Sequence, residues 1–370
     1  MTGRERILAA MDGTGSDRPA VAPFVHISTV KAWKKDPDAD VLTGTAEFCR
    51  HFGFDLIHRN FNVRHNDFQP GDGWTVTVRK ETRGNETWIT REIVTPGGVL
   101  RDVESLTRLT PYTTVAAKVE CPIRDEADLE LFQRYVPEPA IADLSGLRRA
   151  KEIVGRDGIT APWVWGVFNY MAQLRSLEAL LTDPYLNPEF YHRLAGFALT
   201  RLKKALAPLL GGAGPDFVSY TGNLAGGSMA GPDYFRQYVL PYERELIQFL
   251  QAGGVRVIYH NCGDGANMIG CYNALKPDCY ESMTEPPFAD NSLDACLREF
   301  RPDIALMGNV DQIQFLKEAT PAQVREKALE ILKKTAGRRF ILATSDLLEE
   351  GTPEENLLAM SAAARELGGR

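Results

Sequence analysis

The strongest constraint on the fold is a rhythm: eight short apolar runs, nearly all followed by a stretch of helix-forming residues. The runs are Val21–Val25, Asp55–His58, Ile159–Val164, Phe217–Tyr220, Val255–His260, Cys279–Met283, Ile304–Met307 and Phe340–Ala343. Between them lie helical patterns such as Gly3–Met11, Glu189–Leu210, Tyr234–Ala252 and Ala322–Thr335. Gly253-Gly254 and Gly337 are helix stops, and Thr352-Pro353-Glu354-Glu355 is a helix start. Strands that alternate with helices predict a parallel α/β fold, and eight strands close a (β/α)8 TIM barrel. An open doubly wound sheet is the alternative, but no glycine-rich dinucleotide loop follows the first strand. The rhythm is broken once. From Trp74 to Cys121 polar and apolar residues alternate, punctuated by Asn85 and Gly97-Gly98, which reads as antiparallel hairpins. The expectation is one domain over 1–370, with a hairpin insertion at 62–121 after the second strand.

Composition narrows the function. The chain of 370 residues carries a formal net charge of −7, so the basic footprint of a nucleic-acid binder is missing. No apolar run approaches the ~20 residues that span a bilayer, and the charged N-terminus lacks a signal-peptide core. A soluble cytoplasmic enzyme is expected, acting on a small molecule, with a homodimer left open. The six cysteines, Cys49, Cys121, Cys262, Cys271, Cys279 and Cys296, are too scattered for a disulfide framework.

Active sites of such barrels sit at the carboxyl ends of the strands. Those ends carry His26, then His58-Arg59-Asn60, Trp165 with Asn169-Tyr170, and Tyr220 with Asn223. His260-Asn261-Cys262-Gly263-Asp264 follows, then Glu281 to Glu285, Asn309 with Asp311, and Ser345-Asp346. His58, Tyr220, Asn223 and Asp346 are the catalytic candidates. His26, Trp165, Asn169, Tyr170 and Asn309 are candidates for substrate contact; the aromatic ones suit an apolar wall or a quaternary ammonium group. The sharpest pattern is His260-x-Cys262, because residues two apart on an extended segment point the same way. Imidazole and thiolate on one face form half of a zinc site.

A His-x-Cys-Gly motif at the end of a fifth barrel strand resembles the uroporphyrinogen decarboxylase superfamily, and within it the zinc-dependent, corrinoid-linked methyltransferases. Met307-Gly-Asn-Val-Asp311, Thr352-Pro-Glu-Glu-Asn356 and Thr95-Pro-Gly-Gly98 agree with it. The resemblance covers most of the chain. It implies a barrel, zinc, and methyl transfer between a small methylated donor or acceptor and a cobalamin carried on a separate small corrinoid protein.

Two departures refine this expectation. The decarboxylases carry an early arginine-rich loop for their substrate's carboxylates, whereas the loop here, His26-Ile-Ser-Thr-Val-Lys-Ala-Trp33, has no arginine. Decarboxylation of a tetrapyrrole or small carboxylic acid is therefore the second reading. In relatives that act on coenzyme M, the resemblance implies a third zinc ligand from a cysteine at the eighth strand; Ser345 stands there in Leu342-Ala-Thr-Ser-Asp346. A carboxylate is expected to replace it: Glu285 first, whose loop Pro286-Pro287 restricts, then Glu281, then Asp346. A His/Cys/carboxylate site suits an oxygen- or nitrogen-bound methyl group better than a thiol.

Overall fold

The protein is described from a computed structural model over residues 1–139 and 144–368. Twelve strands form in chain order: β1 (Leu56–His58), β2 (Thr75–Arg83), β3 (Glu86–Thr95), β4 (Gly98–Arg108), β5 (Thr114–Glu120), β6 (Gly158–Thr160), β7 (Trp163–Trp165), β8 (Phe217–Thr221), β9 (Arg256–Asn261), β10 (Cys279–Ser282), β11 (Ala305–Val310) and β12 (Phe340–Thr344). Strands β7 to β12 pair in sequence order and in parallel, with helices between them, and β1 pairs in parallel with β6. The expected first run is not a regular strand. It joins β12 through the Val21–Leu342 bridge, and Val21 O accepts from Asp55 N at 2.8 Å on the side of β1.

The third expected strand is split. Pro162 has no N–H to give a ladder, and it separates β6, which faces β1, from β7, which faces β8. Beyond His58 the chain leaves the β1–β6 ladder, and among the described residues its backbone pairs with this neighbour again at the Asn62–Trp163 bridge.

The alternating segment forms an antiparallel sheet in the order β2-β3-β4-β5. Thr87–Thr90 and Glu92–Val94 both belong to the single strand β3. Its buried residues Ile89 and Ile93 lie on the same side as Leu100 of β4, the register partner of Ile93, as period 2 requires.

The same period sorts the parallel strands. Ile57, Ile159, Ala161, Phe217, Ile258, Cys279, Ala305, Met307, Ile341 and Ala343 share one buried cluster with Ala20 and Ala22, capped by Ile7 and Met11 of the first helix. The alternate residues pack against helices in a larger cluster. Parity therefore fixes which residues reach the carboxyl ends of the strands. Two residues on from Ile57, Ala161, Ile258 and Cys279 stand Arg59, Trp163, His260 and Glu281. Among the described residues no helix is long and apolar enough to cross a membrane.

Candidate metal centre

A cavity of about 650 Å³ opens at the carboxyl ends of the strands, lined among others by Phe24, His26, Arg59, Arg64, Trp163, Asn223, His260, Cys262 and Asp346. Its floor holds the one group of residues, among those described, whose donors converge as a metal site requires. Ligand atoms of His260, Cys262 and Asp346 lie within 4.8 Å of one another. His260 and Cys262 come from the end of β9 and the turn after it, and Asp346 from the loop after β12.

The imidazole is fixed on every side. Its Nδ1 lies 3.1 Å from Glu281 Oε2, its register partner on β10. Its Nε2 is turned to Asp346 Oδ1, 3.8 Å away. Phe24 and Trp163 flank the ring edge-on, with centroids 6.0 and 5.2 Å distant. Burial would lower the His260 pKa, but its hydrogen bonds to Cys262 and Glu281 prevail and raise it to about 10. Glu281 is held in turn by Arg59, through Nη1–Oε2 at 2.6 Å and Nη2–Oε1 at 2.5 Å, both side chains being 2% exposed. Burial would raise the Glu281 pKa, yet the Arg59 charge and the His260 bond bring it down to about 2. A carboxylate behind a histidine selects its tautomer and leaves the other nitrogen free for a metal.

Of the residues expected from sequence, His26, Asn223, His260, Cys262 and Asp346 line the cavity. His26 accepts Ser28 N at its Nδ1, capping the helix Ile27–Lys34. Asn223 Oδ1 accepts from Asn169 Nδ2 at 2.8 Å, so Asn169 stands behind the wall as a support.

Glu285 is corrected as a ligand. Its Oε1 accepts from Leu293 N at 2.9 Å and anchors the start of the helix Leu293–Glu299, and the carboxylate that converges with His260 and Cys262 is that of Asp346. His58 is corrected as catalytic: it is fully buried on the helix side of β1, with Nε2 2.9 Å from Leu42 O. Tyr220 also faces outward. Its hydroxyl donates to Glu243, which accepts from Val167 N and Phe168 N at 2.9 Å each. That carboxylate ties the helix Val167–Leu174 to the strand β8; at the cap, Gly166, a Cβ would lie 2.3 Å from Thr221 O. Trp165 lies behind the guanidinium of Arg64, and Tyr170 is buried with its hydroxyl on Asp67 at 2.6 Å. Asn309 is buried, its Oδ1 without a hydrogen-bond partner, and does not line the cavity.

The residues missed in the sequence are Arg59, Glu281 as a support, Phe24, Trp163 and Arg64. Parity would have found the first four: each has the facing of a core residue two positions earlier. Arg64 gave no signal, because it stands on irregular backbone.

A methylated-thiol–coenzyme M methyltransferase from Methanosarcina mazei is 24% identical over 208 residues, 56% of this chain and 52% of the relative. The chain thus spans about half the length of that relative. A uroporphyrinogen decarboxylase from Gloeobacter violaceus is 25% identical over 287 residues, 70% of this chain and 77% of the relative. The solved structure of a methyltransferase from Methanosarcina mazei shares the fold, with a TM-score of 0.67 over 99% of both chains at 14% identity. The family model for uroporphyrinogen decarboxylase matches residues 111–367, most of the chain, and the protein belongs to that family.

Proposed function

We propose that this protein is a methyltransferase that moves a methyl group between a small molecule and the cobalt of a corrinoid held by a separate small protein, with zinc at His260, Cys262 and Asp346. The observation that carries the reading is the meeting of imidazole, thiol and carboxylate at the strand ends. The similarity to a methyltransferase that acts on methylated thiols supports it. The donor set fits zinc: three protein ligands leave a fourth position open, as catalytic zinc sites do. The Val21–Leu342 bridge and the Val21–Asp55 hydrogen bond support a closed (β/α)8 barrel in one domain, with the antiparallel sheet as an insertion.

When bound, zinc would supply Lewis acidity to the atom that carries or receives the methyl group. The chain does the rest. Glu281 accepts the Nδ1–H of His260 and sets the ring; Arg59 keeps Glu281 ionised. Phe24 and Trp163 shield the imidazole from water. Asn223, braced by Asn169, offers an amide at the rim, and His26 holds a ring nitrogen to the cavity for a proton. One thiolate and one carboxylate make a harder site than two thiolates, so the substrate's methyl group sits on oxygen or nitrogen and the direction is demethylation of a donor.

The test is to mix the zinc-loaded protein with cob(I)alamin and O- or N-methylated donors. The expected result is conversion to methylcobalamin that disappears when the metal is removed. The second reading, decarboxylation, has the decarboxylase relatives behind it. Conversion of uroporphyrinogen to coproporphyrinogen at an enzymatic rate, with cobalamin untouched, would establish it instead.

The ligand set has its own check. Asp346→Asn should weaken zinc by about 10-fold or more. Glu285→Gln should leave zinc affinity unchanged. A chelator-competition titration reads both, and the reverse order would return Glu285 to the metal.

A further inference from the structure

Two arginines reach the cavity, and their situations differ. Arg59 is paired with Glu281 in a two-point contact. Arg64 has no such partner. Its guanidinium lies 3.9 Å from the ring centroid of Trp165, and its Nε is buried without a hydrogen bond. Among the described residues no carboxylate is paired with it, and burial alone pushes its pKa down to about 10. The nearest acid in sequence, Asp67, is already taken: Arg201 Nε donates to it at 2.7 Å and Tyr170 Oη at 2.6 Å.

A buried polar group without a partner costs free energy, and a charged one costs more. Stacking on an indole fixes the plane of the guanidinium and leaves its edge free for a two-oxygen acceptor. The charges of the cavity lead to the same place. Arg59 and Glu281 cancel. A zinc ion would cancel the Cys262 thiolate and the Asp346 carboxylate. The charge on Arg64 remains.

We propose that Arg64 is the anchor for a carboxylate on the substrate, so that the methylated molecule is a small carboxylic acid. Its carboxylate lies on Arg64, its body against Phe24, Phe61 and Trp163, and its methylated oxygen or nitrogen toward His260, Cys262 and Asp346. The inference rests on the methyl-transfer reading for the role of the far end, and on Arg64 alone for the acid. The cavity, about 650 Å³, is within the usual size for such a ligand.

The test is calorimetric, on the zinc-loaded protein, and needs no turnover. The probes are 4-methoxybenzoate against 4-methoxybenzamide, and methoxyacetate against methoxyacetamide. At least one acid should bind about 10-fold or more tighter than its amide, the usual value of a hydrogen-bonded charge. In Arg64→Met, and in Arg64→Gln should the first variant fold poorly, that preference should vanish while zinc content stays as in wild type. A preference in the aromatic pair alone would assign the apolar walls to recognition of the ring. The proposal is overturned when neither acid outbinds its amide, or when the preference survives loss of Arg64. The two readings fail separately: zinc bound without acid preference removes this one, and acid preference without cobalamin chemistry removes the other.

Discussion

Arg59→Met is expected to destabilise the fold by roughly 3–5 kcal/mol, the usual cost of removing one partner of a buried ion pair. Arg59 and Glu281 are each 2% exposed, and the guanidinium sits 5.0 and 5.3 Å from the ring centroids of Phe24 and Trp163. Without it the Glu281 carboxylate stays in a closed site and, among the described residues, keeps His260 as its partner of opposite charge. Urea unfolding monitored at pH 7 reads the loss. The pH dependence has a defined sign. Glu281 titrates at about 2 in the fold against 4.5 ordinarily, so its stabilisation is complete above pH 4.5 and is lost as pH falls toward 2. The gap between wild type and Arg59→Met should narrow over that window. The double variant Arg59→Met/Glu281→Leu separates stability from function. Removing both charges should recover most of the stability, yet zinc should bind about 10- to 100-fold more weakly, because His260 Nδ1 has lost its acceptor. A double variant as unstable as the single one would mean that Arg59 acts through packing with the aromatic rings.

Cys262→Ser is expected to weaken zinc by about 100-fold or more, beyond the usual effect of losing a supporting residue. Serine replaces a thiolate with a poor, protonated donor at the centre of the set. The residue is half-exposed and lies just past β9, so the metal-free fold should shift by less than ~0.5 kcal/mol. Zinc competition against a chromophoric chelator, paired with thermal unfolding of both metal-free proteins, makes the measurement. Equal zinc affinity in wild type and variant would remove the metal centre from the protein.

The alternation of strands and helices was legible because each apolar run is short and bounded by helix stops such as Gly253-Gly254. His260 and Cys262 were legible because period 2 acts within a single strand. What the sequence hid was the facing of the other strands. His58 and Arg59 are adjacent, and chemistry favoured the histidine, but Ile57 occupies the interior and gives Arg59 the same side. Tyr220 was misplaced in the same way. The ligand from the eighth strand was hidden for a different reason. After β12 the chain is no longer extended, so parity no longer applies, and Asp346, placed third among the expected carboxylates, is the one whose oxygen meets His260 and Cys262. Glu285 looked suitable by position, but a backbone N–H at the start of a helix claimed its carboxylate.

The lapse in pairing after His58 bears on how such a chain changes over generations. Asn60, Phe61, Asn62 and Arg64 line the cavity from backbone that lies outside the β1–β6 ladder. The wall that carries His260 stands on β9, inside the continuous run of paired strands. Replacements, and changes of length, on the first wall leave the ladder bonds intact, as is general for loops carried on a rigid scaffold. The two walls are thus free to drift at different rates. Descendants of this chain can acquire new substrates by rewriting one side of the cavity while inheriting the other unaltered.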